Sequence, residues 1–156
     1  MPVEIERKFL VNHERWNAIP KPAGQLIRQG YLHNSIDYTI RIRISGSDAF
    51  MAVKGITVGA SRSEFEYPIP LKDAQQMLSE FCAVSISKTR YTISQDPHCW
   101  EVDVFEEVNY GLIVAEIELT DESDAFEKPD WLAEEVTHDP RYYNANLILN
   151  PFTSWR

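Results

Sequence analysis

Pairs of charged residues two positions apart recur through this chain, with apolar residues between them and at their flanks. The doublets are Glu4 and Glu6, Arg41 and Arg43, Glu64 and Glu66, Lys88 and Arg90, Glu101 and Asp103, and Glu116 and Glu118. A period of two is the signature of a β-strand with two unlike faces. It excludes helix over these segments, because at 3.6 residues per turn positions i and i+2 point in different directions. On a strand rising ~3.3 Å per residue, both members of a doublet share one face with tips ~6–7 Å apart.

The alternation predicts eight strands, over residues 3–11, 25–33, 38–44, 50–56, 62–67, 87–93, 100–105 and 112–119. Ser45-Gly46-Ser47-Asp48 and Asn109-Tyr110-Gly111 mark turns between them. Helical spacing appears at 71–81, where residues 71, 74, 77, 78 and 81 are apolar. Shorter helices are expected at 13–18, ended by Pro20 and Pro22, and at 142–149. The fold class is therefore mainly β (α+β), an antiparallel sheet decorated by a few helices. Eight strands suffice to close into a barrel that holds a small ligand, but periodicity alone does not show closure.

The charged face collects Glu4, Glu6, Lys8, Arg41, Arg43, Lys54, Glu64, Glu66, Lys88, Arg90, Glu101, Asp103, Glu116 and Glu118. Two readings are open. An antiparallel sheet commonly buries one face and wets the other, which would make these residues a solvated surface. Against that, a wet face usually mixes in Thr, Ser and Gln, whereas these strands carry ionised groups in pairs. If the face turns inward instead, its charges need compensation. Carboxylate doublets suit Mg²⁺ or Mn²⁺, and Arg and Lys rows suit phosphate oxygens. His13, His33, His98 and His138 are scattered, and no Walker A, G-x-G-x-x-G or G-x-S-x-G sequence offers another chemistry.

With 156 residues, 44% hydrophobic and 25% charged, the chain has the size and composition of one globular domain. A net charge of −9, from 24 acidic and 15 basic residues, argues against a nucleic-acid partner. It leaves small anions possible, because a local cluster of cations outweighs distant charge beyond a Debye length of ~8 Å. No apolar run spans a bilayer, and the charged start from Glu4 onward does not read as a secretory signal. Cys82 and Cys99 lie outside any C-x-x-C pattern, so reduced thiols and a cytoplasmic location are expected.

The opening Glu4-Ile5-Glu6-Arg7-Lys8 is an E-x-E-x-K motif, followed in order by Arg41-x-Arg43, Lys54, Glu64-x-Glu66, Lys88-x-Arg90, Glu101-x-Asp103 and Glu116-x-Glu118. In that combination the chain resembles the CYTH family, the triphosphate tunnel metalloenzymes. The resemblance implies a closed eight-stranded tunnel over about residues 3–120 and a C-terminal helical segment over 121–156, together one domain, 1–156. It implies Mg²⁺ or Mn²⁺ on Glu4, Glu6, Glu116 and Glu118, and phosphates held by Lys8, Arg41, Arg43, Lys54, Lys88 and Arg90. One metal would bridge phosphate oxygens and a second would activate water. The water's proton would pass to a metal-linked carboxylate or to one of the lysines Lys8, Lys54 and Lys88. Glu64, Glu66, Glu101 and Asp103 would orient the cations or complete a metal shell.

The short form of the opening resembles bacterial members that hydrolyse inorganic tripolyphosphate, the expected substrate. Other readings on the same scaffold are an adenylate cyclase, a thiamine triphosphatase, and a non-catalytic module binding polyphosphate or nucleotide. The His-Phe pair associated with the cyclases is missing from Met1-Pro2-Val3. Trp16, Trp100, Trp131 and Trp155 are expected in packing roles rather than around a thiamine ring. The expected partner is a small triphosphate or polyphosphate, without nucleic acid or membrane, and a homodimer is compatible with the pattern.

Overall fold

A computed structural model describes residues 3–155; Met1, Pro2 and Arg156 lie outside the described residues, and with them most of the stretch ahead of Glu4. The alternating runs form β1 (Val3–Val11), β2 (Gln25–Asn34), β3 (Tyr38–Ser45), β4 (Asp48–Gly55), β5 (Ser61–Pro68), β6 (Ile86–Gln95), β7 (His98–Phe105) and β8 (Ile113–Glu118). Helix α1 (His13–Ala18) follows β1, and its cap is Asn12, whose side chain accepts from the Arg15 amide at 3.0 Å. Helix α2 (Leu71–Phe81) links β5 to β6. Between β3 and β4 the turn needs Gly46 at φ 62°, a conformation a Cβ disfavours.

All pairings are antiparallel, in the order β5-β4-β3-β2-β6-β7-β8-β1, and β1 also pairs with β5. That last contact closes the barrel. It is short, joining Val3, Glu4 and Ile5 to Ser63, Arg62 and Ser61, whereas β1 meets β8 over five pairs, Glu6 to Leu10.

Two elements differ from expectation. A ninth strand, β9 (Leu132–Glu135), pairs with the far end of β1 at Phe9 and Val11, after β5 has diverged. Its Leu-Ala-Glu-Glu sequence has no alternation to reveal it. The last helix, α3, covers Asn144–Leu149 rather than 142–149, because residues Pro140–Tyr142 form a 3₁₀ turn.

Apolar outward faces are covered by separate clusters. On β1, β7 and β8, Phe9, Trp16, Trp100 and Trp131 pack edge to face, with Trp16 and Trp131 centroids 5.3 Å apart. Helix α2 sets Ala74 and Leu78 on Ile42 and Ala49. The third helix plays another part. Beyond the charged rows the inward faces end in Ile86, Phe105 and Val114, which pack with Tyr142 and Leu147. The 3₁₀ turn and α3 thus seal one end of the barrel instead of covering its side.

Candidate active site

Alternation sends the charged rows inward, so the wet-face reading fails. Glu4, Lys8, Arg41, Lys54, Lys88 and Asp103 are all buried, with Lys88 at 0% and Asp103 at 1% exposure. Charges so placed require partners, and the neighbouring strands supply them. Lys54 Nζ lies 3.0 Å from Glu4 and 3.0 Å from Glu64. Arg41 reaches Glu66 at 3.2 Å, and Arg90 reaches Glu101 at 3.0 Å and Asp103 at 2.8 Å. Lys88 lies 2.8 Å from Asp103, and Lys8 lies 3.9 Å from Glu116. The structure therefore brings every predicted site residue into one lumen.

The floor of that lumen comes from the C-terminal segment. Lys8 Nζ donates to the Tyr142 carbonyl at 3.3 Å and sits over the Tyr143 ring, and Lys88 Nζ donates to Asn144 Oδ1 at 3.1 Å. At the opposite end, a cavity of about 300 Å³ opens between Arg43, Arg90, Glu66, Glu101, Phe50 and Thr92. A larger groove of about 590 Å³ runs along residues 134–142 and contains none of the predicted site residues.

Compensation within the lumen is incomplete on two walls. On the acidic wall, Glu6 is the cross-strand partner of Glu118, and Glu101 is that of Glu116. Like charges directly opposite are unfavourable, and neither Glu6 nor Glu118 has a cation within 4 Å among the described residues. Burial, then Glu116 and Glu4, push the Glu6 carboxyl up to about 8, and it hydrogen-bonds to Glu116. A hard dication in place of the shared proton would relieve this wall, so the donor set fits Mg²⁺ or Mn²⁺. Among the described residues no three such groups form a preformed cage; an ion here would draw its remaining ligands from water and substrate, as Mg²⁺ commonly does.

On the basic wall, Arg41 Nε and Gln29 Nε2 are buried without an acceptor. Arg43 donates Nε to Gln29 Oε1 at 2.9 Å and meets no carboxylate within 4 Å among the described residues. Burial, then Arg41 and Arg90, lower Arg43 to about 10, so it stays charged at neutral pH. Unsatisfied buried donors are costly, and two of them beside an arginine that meets no carboxylate, all facing one lumen, are an anion site by their chemistry.

Lys88 differs from the other cations. Burial lowers it to about 7, even though Asp103 opposes the shift. Burial would raise Asp103, but Lys88 and Arg90 overcome it and hold the carboxylate well below its usual range. Arg90 also grips Asp103 through Nε and Nη2, so a neutral Lys88 would still leave that carboxylate with a cation partner.

Charge patterning missed several lumen residues. Arg62 stood on the charged face of its strand but had no like-signed neighbour two residues away; its Nε donates to Glu4 Oε1 at 2.7 Å. Tyr31 and Gln29 share the inward face of β2, and being uncharged they left no mark in a charge pattern. Burial raises the Tyr31 phenol, while Arg41, Arg43, Arg62 and Lys8 around it act the other way. Asn144 carried no signal at all.

Residues 2–146 match the CYTH domain model. Over its full length the chain is 43% identical to an inorganic triphosphatase of Acetivibrio thermocellus, covering 99% of that protein. An inorganic triphosphatase of Nitrosomonas europaea is 36% identical over 94% of this chain and 97% of its own. The crystal structure of the inorganic triphosphatase NE1496 superposes with a TM-score of 0.65 at 34% identity, covering 96% of each chain.

Proposed function

Because the chain belongs to the CYTH domain family, we propose that it hydrolyses inorganic tripolyphosphate with Mg²⁺ or Mn²⁺ held on the acidic wall of its barrel. One observation carries this reading: carboxyl groups with no cation within 4 Å among the described residues, Glu6 and Glu118, and unsatisfied donors, Arg41 Nε and Gln29 Nε2, face the same closed-ended lumen. A polyanion alone would leave the acidic wall unrelieved, and a cation alone would leave the basic wall. A metal-bound triphosphate would answer both walls at once, and the two relatives described above are inorganic triphosphatases.

In this reading the substrate enters between Arg43 and Arg90, since the other end is sealed. Arg41, Arg43 and Arg90 present fork donors to phosphate oxygens, and Lys8 and Lys54 add point charges deeper in. Glu4, Glu6, Glu116 and Glu118 would hold the cation, which would supply positive charge for phosphoryl oxygens and acidify water. Lys88 Nζ, lowered to about 7, accepts the water's proton. Glu64, Glu66, Glu101 and Asp103 hold Lys54, Arg41 and Arg90 in place through the ion pairs described.

A ring-bearing substrate has less support. Trp16, Trp100 and Trp131 are packed in the cluster outside the barrel, and Phe50 is the one ring lining the mouth. The working compartment of this reading is the cytoplasm, with both thiols free; no helix among the described residues is long and apolar enough to cross a membrane.

The test is phosphate release from tripolyphosphate, ATP and thiamine triphosphate, each with Mg²⁺, Mn²⁺ or EDTA. Release should require metal and be fastest from tripolyphosphate, and Glu6→Gln should abolish it while the variant stays folded. Equal rates in EDTA would sink the metal assignment, and faster release from thiamine triphosphate would change the substrate.

A further inference from the structure

Arg62 has no part in the site roles set out above, yet its geometry is not that of a simple ion pair. It stands at the middle of the three residue pairs through which β5 closes the barrel onto β1, opposite Glu4. Its Nε donates to Glu4 Oε1 at 2.7 Å, the shortest contact to that carboxylate, while Lys54 Nζ straddles Oε1 and Oε2 at 3.0 and 3.2 Å.

What its remaining donors do separates a latch from a ligand-binding group. An arginine that only fastens two strands saturates its fork on the carboxylate. Arg7, which joins β1 to β9, does so on Glu135, with Nε and Nη2 at 2.8 and 2.6 Å. Arg62 spends only Nε. Its two Nη groups make no hydrogen bond among the described residues, although the side chain is only 27% exposed. The guanidinium lies within electrostatic reach of Glu6 and Tyr31, both of which face the lumen. Arg62 is the cross-strand partner of the inward-facing Glu4, so its four remaining N–H donors are left without a protein acceptor on the lumen side of β5.

We propose that Arg62 is a further phosphate-binding residue of the lumen, tethered through Nε to Glu4 and offering its Nη groups to the triphosphate. The tether also fixes Glu4 through Oε1, which leaves Oε2 to turn toward the cation once Lys54 engages phosphate. Arg62 therefore links the acidic and basic walls, and triphosphate affinity and metal affinity both pass through it. This inference rests on the triphosphate reading above.

The experiment is calorimetric titration of sodium tripolyphosphate into the metal-free protein in EDTA, for wild type, Arg62→Gln, Arg62→Lys and Arg28→Gln, with melting temperatures alongside. Losing charge-assisted hydrogen bonds to phosphate should weaken binding roughly tenfold to hundredfold in Arg62→Gln. Arg62→Lys keeps the charge and the strand latch but loses the fork, and should weaken it by about tenfold. The exposed Arg28, on the outer face of β2, should change nothing. In steady state, Arg62→Lys should raise KM and the metal concentration for half activation more than it lowers kcat. Unchanged affinity in Arg62→Gln with a lowered melting temperature would reduce Arg62 to a latch and overturn the proposal. If Arg62→Gln does not fold, unchanged affinity in Arg62→Lys overturns it equally. A wild type that binds tripolyphosphate without releasing phosphate would remove the hydrolase reading alone, because affinity decides the role of Arg62. A wild type that fails to bind it would remove both.

Discussion

A single carboxyl group, Glu6, shows how far the lumen departs from an ordinary polar core. Its neighbours Glu116 and Glu4 and its burial raise it to about 8 from an ordinary value of 4.5, while Lys54 and Arg62, working against burial, lower Glu4 to about 2. Their consequences for stability have opposite signs. Between pH 4.5 and 8 the folded state holds a proton on Glu6 that the unfolded state has lost, so this contribution is full below 4.5 and fades as pH rises through 8. Glu4 contributes stability above 4.5 that is lost as pH falls toward 2. Urea unfolding in EDTA should therefore show wild type losing stability relative to Glu6→Gln as pH rises from 4.5 to 8. Added Mg²⁺ should flatten the wild-type slope, because the dication takes the place of the proton. Parallel pH curves for the two proteins would contradict the account of the acidic wall.

Elements written in period-two charge were legible, and the rest were not, for physical reasons. Seven of the eight barrel strands announce themselves because charged residues alternate with an apolar outer face, whereas β2, with Gln29 and Tyr31 inward, gives only a less regular run; α2 is legible because Leu71, Ala74, Met77 and Leu78 lie along one stripe. Closure rests on three residue pairs between β1 and β5, which no local pattern encodes; the family resemblance, not periodicity, supplied it. Strand β9 is four residues on the edge of β1, held by backbone pairing and by Arg7 on Glu135 at 2.6 Å, so its sequence is free of alternation. In the lumen the paired charges were readable, but Arg62, Tyr31, Gln29 and Asn144 were chosen by geometry across strands rather than along one. Site and scaffold are separable at this scale. Leu78 is buried between α2 and the outer face of the sheet, away from every lumen residue. Leu78→Ala should cost ~2–5 kcal/mol of stability, read from the urea midpoint, and leave phosphate release per folded molecule within about twofold. A loss of turnover matching the loss of stability would show that α2 also shapes the lumen.

For the molecule as a whole, the lumen holds its two unsatisfied walls apart at a cost that only a metal and a polyanion together can lift. The chain carries a net charge of −9, so a triphosphate gains nothing from the long-range field and must be captured by the local rows of Arg and Lys. In the proposed reading, cation on the acidic wall would remove much of the repulsion that an incoming phosphate meets there, and phosphate engaging Lys54 would free Glu4 for that cation. Binding should accordingly be cooperative, and reciprocal by linkage. A tripolyphosphate analogue with imido bridges, which resists hydrolysis, allows a thermal test. At 100 times its Kd, in the presence of Mg²⁺, the ligand should add ~2.7 kcal/mol. With an unfolding entropy of ~2.1 cal/mol/K per residue, that is a rise of about 8 °C in Tm for a chain of this length. Analogue in EDTA, and Mg²⁺ without analogue, should each raise Tm by less, and the two together by more than their sum. Strictly additive shifts would mean that the walls bind their ligands independently, and the coupling assigned to Glu4 and its two cations would have to be given up.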